Sequence, residues 1–338
     1  MNIKLKQSII LFFSFLCVFS YGQDKILIEK ISKLKDSIRV GNLVLYNIFK
    51  YQVLSHENNQ YDTAVIINKV YKPYPELWDS CLAVIFGDAG KMFRQAGVVE
   101  WNKTLFEKQP QLLGKIDSLS NLNLDSLFNS HLQGITLLTG LKPKGTWVLY
   151  LGPDQNFSLE IGGCSSNGMA IDLAHTKITA DILTEAMPHE FEHMVFEQAK
   201  HNDPDWGTDL GATIDEGLAC FFTYKYFNEK LPKWRTIEQM SEEQFQWYLS
   251  NEKEIFEKSI PFLMTNTTAE NPYKCNCRAG GCQKLFGQAP KTICYFLGFR
   301  IIEFYTKNHG KNSWKDAYKM PMKDLIERSG YAAYVKTL

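Results

Sequence analysis

Residues 187 to 196 read MPHEFEHMVF, with His189 and His193 four apart and Glu190 directly after the first histidine. A helix turns once in 3.6 residues, so both imidazoles leave the same face, one turn apart, and Glu190 stands slightly round from them. Leu183, Met187, Phe191, Met194, Val195 and Phe196 surround the pair with apolar surface. The stretch therefore reads as a helix that must be packed, and polar rings on such a helix need partners. A cation shared by both rings is one solution, and the polar stripe of an ordinary helix is the other. Pro188 lacks a backbone donor and disfavours helix in the residue before it. Either the helix begins at Pro188, the cleaner solution, or it is kinked there.

Context sharpens the choice. About twenty residues on, TIDEGLACFF (213–222) starts a second helical pattern, and AKHNDPDWGTDLGA between them is rich in turn residues. Glu216 can then bring a third ligand to His189 and His193 from another helix. Two imidazoles, one carboxylate and an open position form the usual plan of a hydrolytic zinc site, with Glu190 placed to take a proton from the metal's water. A solvated helix residue is the plain alternative for Glu216. Gly217 allows two helix backbones to approach closely near the ion. Asp215 reads equally well as a carboxylate orienting a ligating histidine or as a helix N-terminal charge. His201 is the fallback ligand. His56, His131, His175 and His309 read as ordinary surface or packing residues.

The remaining composition narrows the class. Lys plus Arg equals Asp plus Glu at 37 each, so no overall field draws the chain to nucleic acid or an acidic membrane. The N-terminus has Lys4 and Lys6, an apolar run from Ile9 to about Phe19, and small residues at Ser20 and Gly22. This predicts a signal peptide over 1–22 and an exported, periplasmic or secreted protein without stable membrane insertion. Leu16 before Cys17 argues against lipid attachment. Cleavage would leave seven of the eight cysteines, an odd number in a disulfide-permitting compartment.

Residues 23–140 carry helical stripes, including DKILIEKISKLKDSIR and the stretch around Pro73 and Pro75 where two helices meet at a turn. From 141 the pattern changes to short strand-like runs, TWVLYL, FSLEIG and MAIDLA, separated by turn residues, before helical patterning resumes. The expectation is an α+β chain, mostly helical with a small mixed sheet: an N-terminal helical region over 23–140 and a second domain over 141–338.

HEFEH, DEGLA and YFLGFRIIEFY (295–305) together resemble gluzincin-type zinc metallopeptidases. More narrowly, they are similar to bacterial predicted zinc-protease families that pair an HExxH helix with a downstream EGLA helix and a Gly-Tyr-x-x-Gly-type helix. The resemblance covers roughly residues 140–310. It implies a zincin-like core, zinc on His189, His193 and Glu216, Glu190 as base, and peptide or protein substrates. The run GMAIDLA then becomes a candidate edge strand against which an extended peptide pairs. Tyr295 is the candidate second donor to the oxyanion, with aromatic packing as its alternative. Cys294 departs from the pattern by standing where glycine would precede Tyr295. YKCNCRAGGCQKLFG before it is unusually rich in cysteine, and Cys275, Cys277, Cys282 and Cys294 read as flap disulfides of undetermined pairing. Cys220, one turn after Glu216, reads as a small buried residue. Arg300 and Glu303 read as a local ion pair. Two other functions fit the same residues: a non-catalytic envelope protein keeping the zincin shell, and a zinc hydrolase of a non-peptide amide or ester.

Overall fold

Gly41 and Asn42 separate two β-prone runs, and the chain turns back on itself there. Ser37–Val40 (β1) pairs antiparallel with Leu43–Asn47 (β2), Val40 opposite Leu43, with Gly41 at φ 58°. A two-residue loop with positive φ suits the twist of a hairpin, and glycine adopts it without strain. The structure, a computed structural model, describes residues 25–57, 60–154, 161–165, 168–264, 286–287, 289 and 293–338. Its chain divides into two compact units, residues up to 129 with 144–184, and 130–143 with 185–338.

The first unit holds a five-stranded mixed sheet in the order β1-β2-β3-β5-β4, where β3 is Gly145–Tyr150, β4 is Ile161–Ser165 and β5 is Gly168–Asp172. The pairs β2–β3 and β3–β5 are parallel, and β4–β5 is antiparallel. Helices fill the long connection from β2 to β3, as parallel pairing requires. Trp147, Leu149 and Tyr150 are all buried, so both faces of β3 are covered, as in other central strands. One face packs on Trp78, which meets the Tyr150 ring edge-on at 5.5 Å and donates Nε1–H to the Val70 carbonyl at 2.7 Å. Helical segments Ile66–Tyr71 and Glu76–Leu82 flank Pro73 and Pro75, matching the expected turn.

Three sequence expectations are corrected here. The 23–140 region is not purely helical, because β1 and β2 lie inside it and join the strands after 144. GMAIDLA is no edge strand: β5 has β3 on one side and β4 on the other, so its backbone groups are already paired. The disulfide among the described residues joins Cys81 to Cys164. Cys294 is buried as a thiol, while Cys275, Cys277 and Cys282 lie outside the described residues, as does the signal segment 1–22. No helix among the described residues is long and apolar enough to cross a membrane.

The second unit is helical. Its main helices are Ala180–Lys200 (α1, in this unit from Glu185), Asp209–Tyr226 (α2) and Ile293–His309 (α3). α2 and α3 cross at Gly217 and Gly298, where a Cβ on Gly217 would lie 2.2 Å from the Gly298 Cα. No side chain fits there, so glycine on both helices permits the contact. The outer side of α3 is tied down by Arg300, whose Nε donates to Glu252 Oε1 at 2.7 Å and which also pairs with Glu303. Tyr331 donates to the same Glu252 oxygen at 2.8 Å. The predicted Arg300–Glu303 pair is thus part of a larger buried ion network.

Candidate metal centre

α1 runs unbroken through Pro188, which corrects the expectation that the helix begins there. Proline forfeits one hydrogen bond, to the Thr184 carbonyl. Met187 and Phe191, both fully buried, hold the helical path across the gap. Helical spacing then does what it must to His189 and His193: their Nε2 atoms lie 3.0 Å apart.

α2 begins at a Thr208 cap, whose hydroxyl accepts from the Gly211 N–H, and is buried from Leu210 to Thr223. Asp215 and Glu216 sit in its middle, so Asp215 is not a first-turn charge. Glu216 Oε2 lies 3.2 Å from His193 Nε2 and 3.4 Å from His189 Nε2. Among the described residues these three side chains can offer one ligand atom each to a common ion. Zinc bonds of about 2.0–2.1 Å in a tetrahedron set ligand atoms about 3.3 Å apart. The three observed separations straddle that edge length. Glu216 Oε2 is buried and accepts no hydrogen bond, a position otherwise unfavourable for a carboxylate. The donor set fits a zinc ion.

The surroundings polarise the groups. Asp215 Oδ1 takes the Nδ1–H of His193 at 2.7 Å, which turns Nε2 toward Glu216 and His189. Burial pulls the His193 imidazolium down, yet the Asp215 and Glu216 carboxylates outweigh it and hold its pKa well above the usual value. Burial likewise opposes charge on Glu216, but the two imidazoles keep its carboxyl far below the ordinary range. Glu190 moves the other way: burial raises it, against the pull of both histidines.

Tyr295, on the first turn of α3, lies with its ring centroid 6.1 Å from that of His189. Burial first, then the Glu216 carboxylate, pushes its phenol up, so the hydroxyl keeps its proton and remains a donor. Of the sequence-derived candidates, His189, His193 and Glu216 are brought together, Glu190 stands next to His189 on the same helix, and the Tyr295 ring lies beside the His189 ring. His201 is not; it lies exposed at the end of α1, its Nδ1 3.3 Å from the Gln198 carbonyl.

Two further neighbours bear on the group, Cys220, read from sequence only as a small buried residue, and Glu192, for which the sequence offers no reading. Cys220 Sγ lies 3.8 Å from His189 Nδ1, an outer partner for the ligand that Asp215 does not touch. Its position one turn after Glu216 was the available signal. Glu192 is fully buried on α1. Burial above all pushes its carboxyl well up against the pull of His193, with Asp215 adding to the rise. Glu192, His193 and Asp215 also cluster closely enough to suggest a second ion, but the 2.7 Å bond to Asp215 already occupies His193 Nδ1. These groups support the first site.

The family described as "Predicted Zn-dependent protease (DUF2268)" matches residues 154–327, a little over half of the chain. No curated protein and no solved structure matches it.

Proposed function

The chain belongs to the DUF2268 family of predicted Zn-dependent proteases, and from that premise we propose that it is a metallopeptidase whose zinc is held by His189, His193 and Glu216. The observation that carries the reading is the triangle of ligand atoms at 3.0, 3.2 and 3.4 Å. When bound, the ion supplies Lewis acidity to a carbonyl and lowers the pKa of a water.

The chain's own groups supply the rest. Glu190 removes a proton from the attacking water. The Tyr295 hydroxyl donates to the oxygen that becomes negative as the carbonyl is attacked. Glu190 then passes the proton to the leaving amine, which departs neutral. Asp215 holds the His193 ring in one tautomer and orientation throughout. The core built by α1, α2 and α3 is read as zincin-like.

The reading extends to location. The Cys81–Cys164 disulfide favours an oxidising compartment, in keeping with the signal peptide expected over 1–22. The proposed protein is exported, and its substrates are peptides or proteins outside the cytoplasm.

Metal analysis coupled to a peptide-library digest tests this. Wild type and E190Q are each expected to carry about one zinc per chain, and only wild type to cleave. A wild-type protein that binds zinc and cleaves no peptide overturns the enzymatic reading.

A further inference from the structure

Two aromatic neighbours hold the ring of His189 in its plane. Tyr295 lies roughly parallel to it, with centroids 6.1 Å apart and 28° between the planes. His193 meets it edge-on, at 4.7 Å and 85°. Contacts of this kind fix a plane, but not which way round the imidazole sits within it. A half-turn about the Cβ–Cγ bond keeps the plane and exchanges Nδ1 with Cδ2 and Nε2 with Cε1. In one orientation Nε2 faces Glu216 and His193. In the other a C–H takes that place and has no lone pair to offer a cation. A polar neighbour at Nδ1 tells the two orientations apart.

Such a neighbour is present. Cys220 Sγ lies 3.8 Å from Nδ1. Cys220 stands on α2 one turn after Glu216, so a single helix supplies the carboxylate that faces Nε2 and the sulfur that faces Nδ1. The residue is fully buried and forms no disulfide. A neutral imidazole that gives its Nε2 lone pair to a cation carries its proton on Nδ1, and that N–H needs an acceptor. Sulfur accepts only weakly, whereas His193 has the Asp215 carboxylate at 2.7 Å. The two histidines are therefore backed unequally.

We propose that Cys220 is a positioning residue: its sulfur selects the ring orientation and the tautomer in which His189 presents Nε2 to the ion. This rests on the zinc reading above and assigns the second outer contact of the ligand set. Outer partners of metal-bound histidines are worth about 10–100-fold in affinity, and a weak acceptor belongs at the lower end of that range.

The test compares zinc affinity, by chelator competition, in wild type, C220A and C220N. Alanine removes the acceptor. Asparagine is close to cysteine in size and restores an acceptor oxygen. The expected result is a Kd about tenfold weaker in C220A and within about threefold of wild type in C220N. Long-range proton–nitrogen spectra of histidine-labelled protein give a second readout. In zinc-loaded wild type and C220N, His189 is expected to carry its proton on Nδ1, with slow exchange to solvent, and in C220A that exchange should quicken. Equal affinity in wild type and C220A overturns the role of Cys220 and leaves the zinc reading intact. So does a loss in C220A that C220N fails to restore, because packing alone would then explain it. If C220A does not fold, as thermal melting shows, the wild-type spectrum decides: a zinc-loaded His189 with its proton on Nε2 overturns the proposal. A wild type that binds no zinc overturns the metal reading itself, a result distinct from all of these.

Discussion

Asp215 Oδ1 lies 2.7 Å from His193 Nδ1, inside α2 and nearly sealed from solvent. That contact sets which nitrogen of the imidazole carries the proton. D215N keeps the shape but can present a donor where an acceptor is needed, and the ring must flip tautomer or lose the bond. Zinc affinity is expected to fall by about 10–100-fold, read by competition with a chelator. Unchanged affinity would show that the carboxylate does not orient the ligand.

The Gly217–Gly298 crossing fixes how α2 presents Glu216 and how α3 presents Tyr295. A Cβ on Gly298 would lie 1.9 Å from the Thr213 carbonyl oxygen. G298A must therefore push the helices apart, with an expected destabilisation of about 3 kcal/mol and a loss of zinc binding beyond what the stability change explains. Denaturant unfolding of the zinc-free protein beside metal titration separates the two effects.

His131 predicts a pH dependence. Its Nδ1 lies 3.0 Å from the Tyr226 hydroxyl, its ring packs on Phe191, and Nε2 has no partner among the described residues. Burial pushes its pKa down from 6.5 to about 4. The folded state therefore binds fewer protons than the unfolded state between those values. Its neutral form is accommodated without penalty above pH 6.5, and stability is lost as pH falls toward 4, by about 2.5 kcal/mol at pH 4.5. H131F should remove that part of the acid slope, measured as the difference in urea unfolding free energy between pH 7 and 4.5. Equal slopes in the two proteins would refute the assignment.

The Cys81–Cys164 bridge spans 83 residues of sequence, a long loop whose closure restricts the unfolded chain. Its removal in C81S/C164S is expected to cost about 4 kcal/mol, seen as a lower urea midpoint. Because the bridge lies in the first compact unit and the three proposed zinc ligands lie in the second, zinc stoichiometry below the unfolding transition should remain that of wild type.

The features legible in sequence are those set by local geometry. The helical repeat alone aligns His189 with His193, and the carboxylate–glycine pair at 216–217 marks a candidate ligand beside a close backbone contact. The strands at TWVLYL and MAIDLA are likewise visible from their apolar runs. The β1–β2 hairpin is equally local, announced by Gly41-Asn42 between two β-prone stretches, but the helical stripes around it mask the signal. Pro188 misled because a proline's local penalty is small beside the burial of Met187 and Phe191.

What remained hidden depends on residues far apart in the chain. The parallel pairing of β2 with β3, the partner of Cys81 and the thiol at His189 Nδ1 follow from how packed elements meet, which no spacing in the sequence encodes. By itself the sequence determined the histidine pair on one helix face and the chemistry such a pair invites. Only tertiary structure decided that Glu216 completes the triangle and that Asp215 backs His193 rather than capping a helix. Periodicity acts over one or two turns of backbone, whereas these contacts exist only once distant apolar faces have been buried against each other.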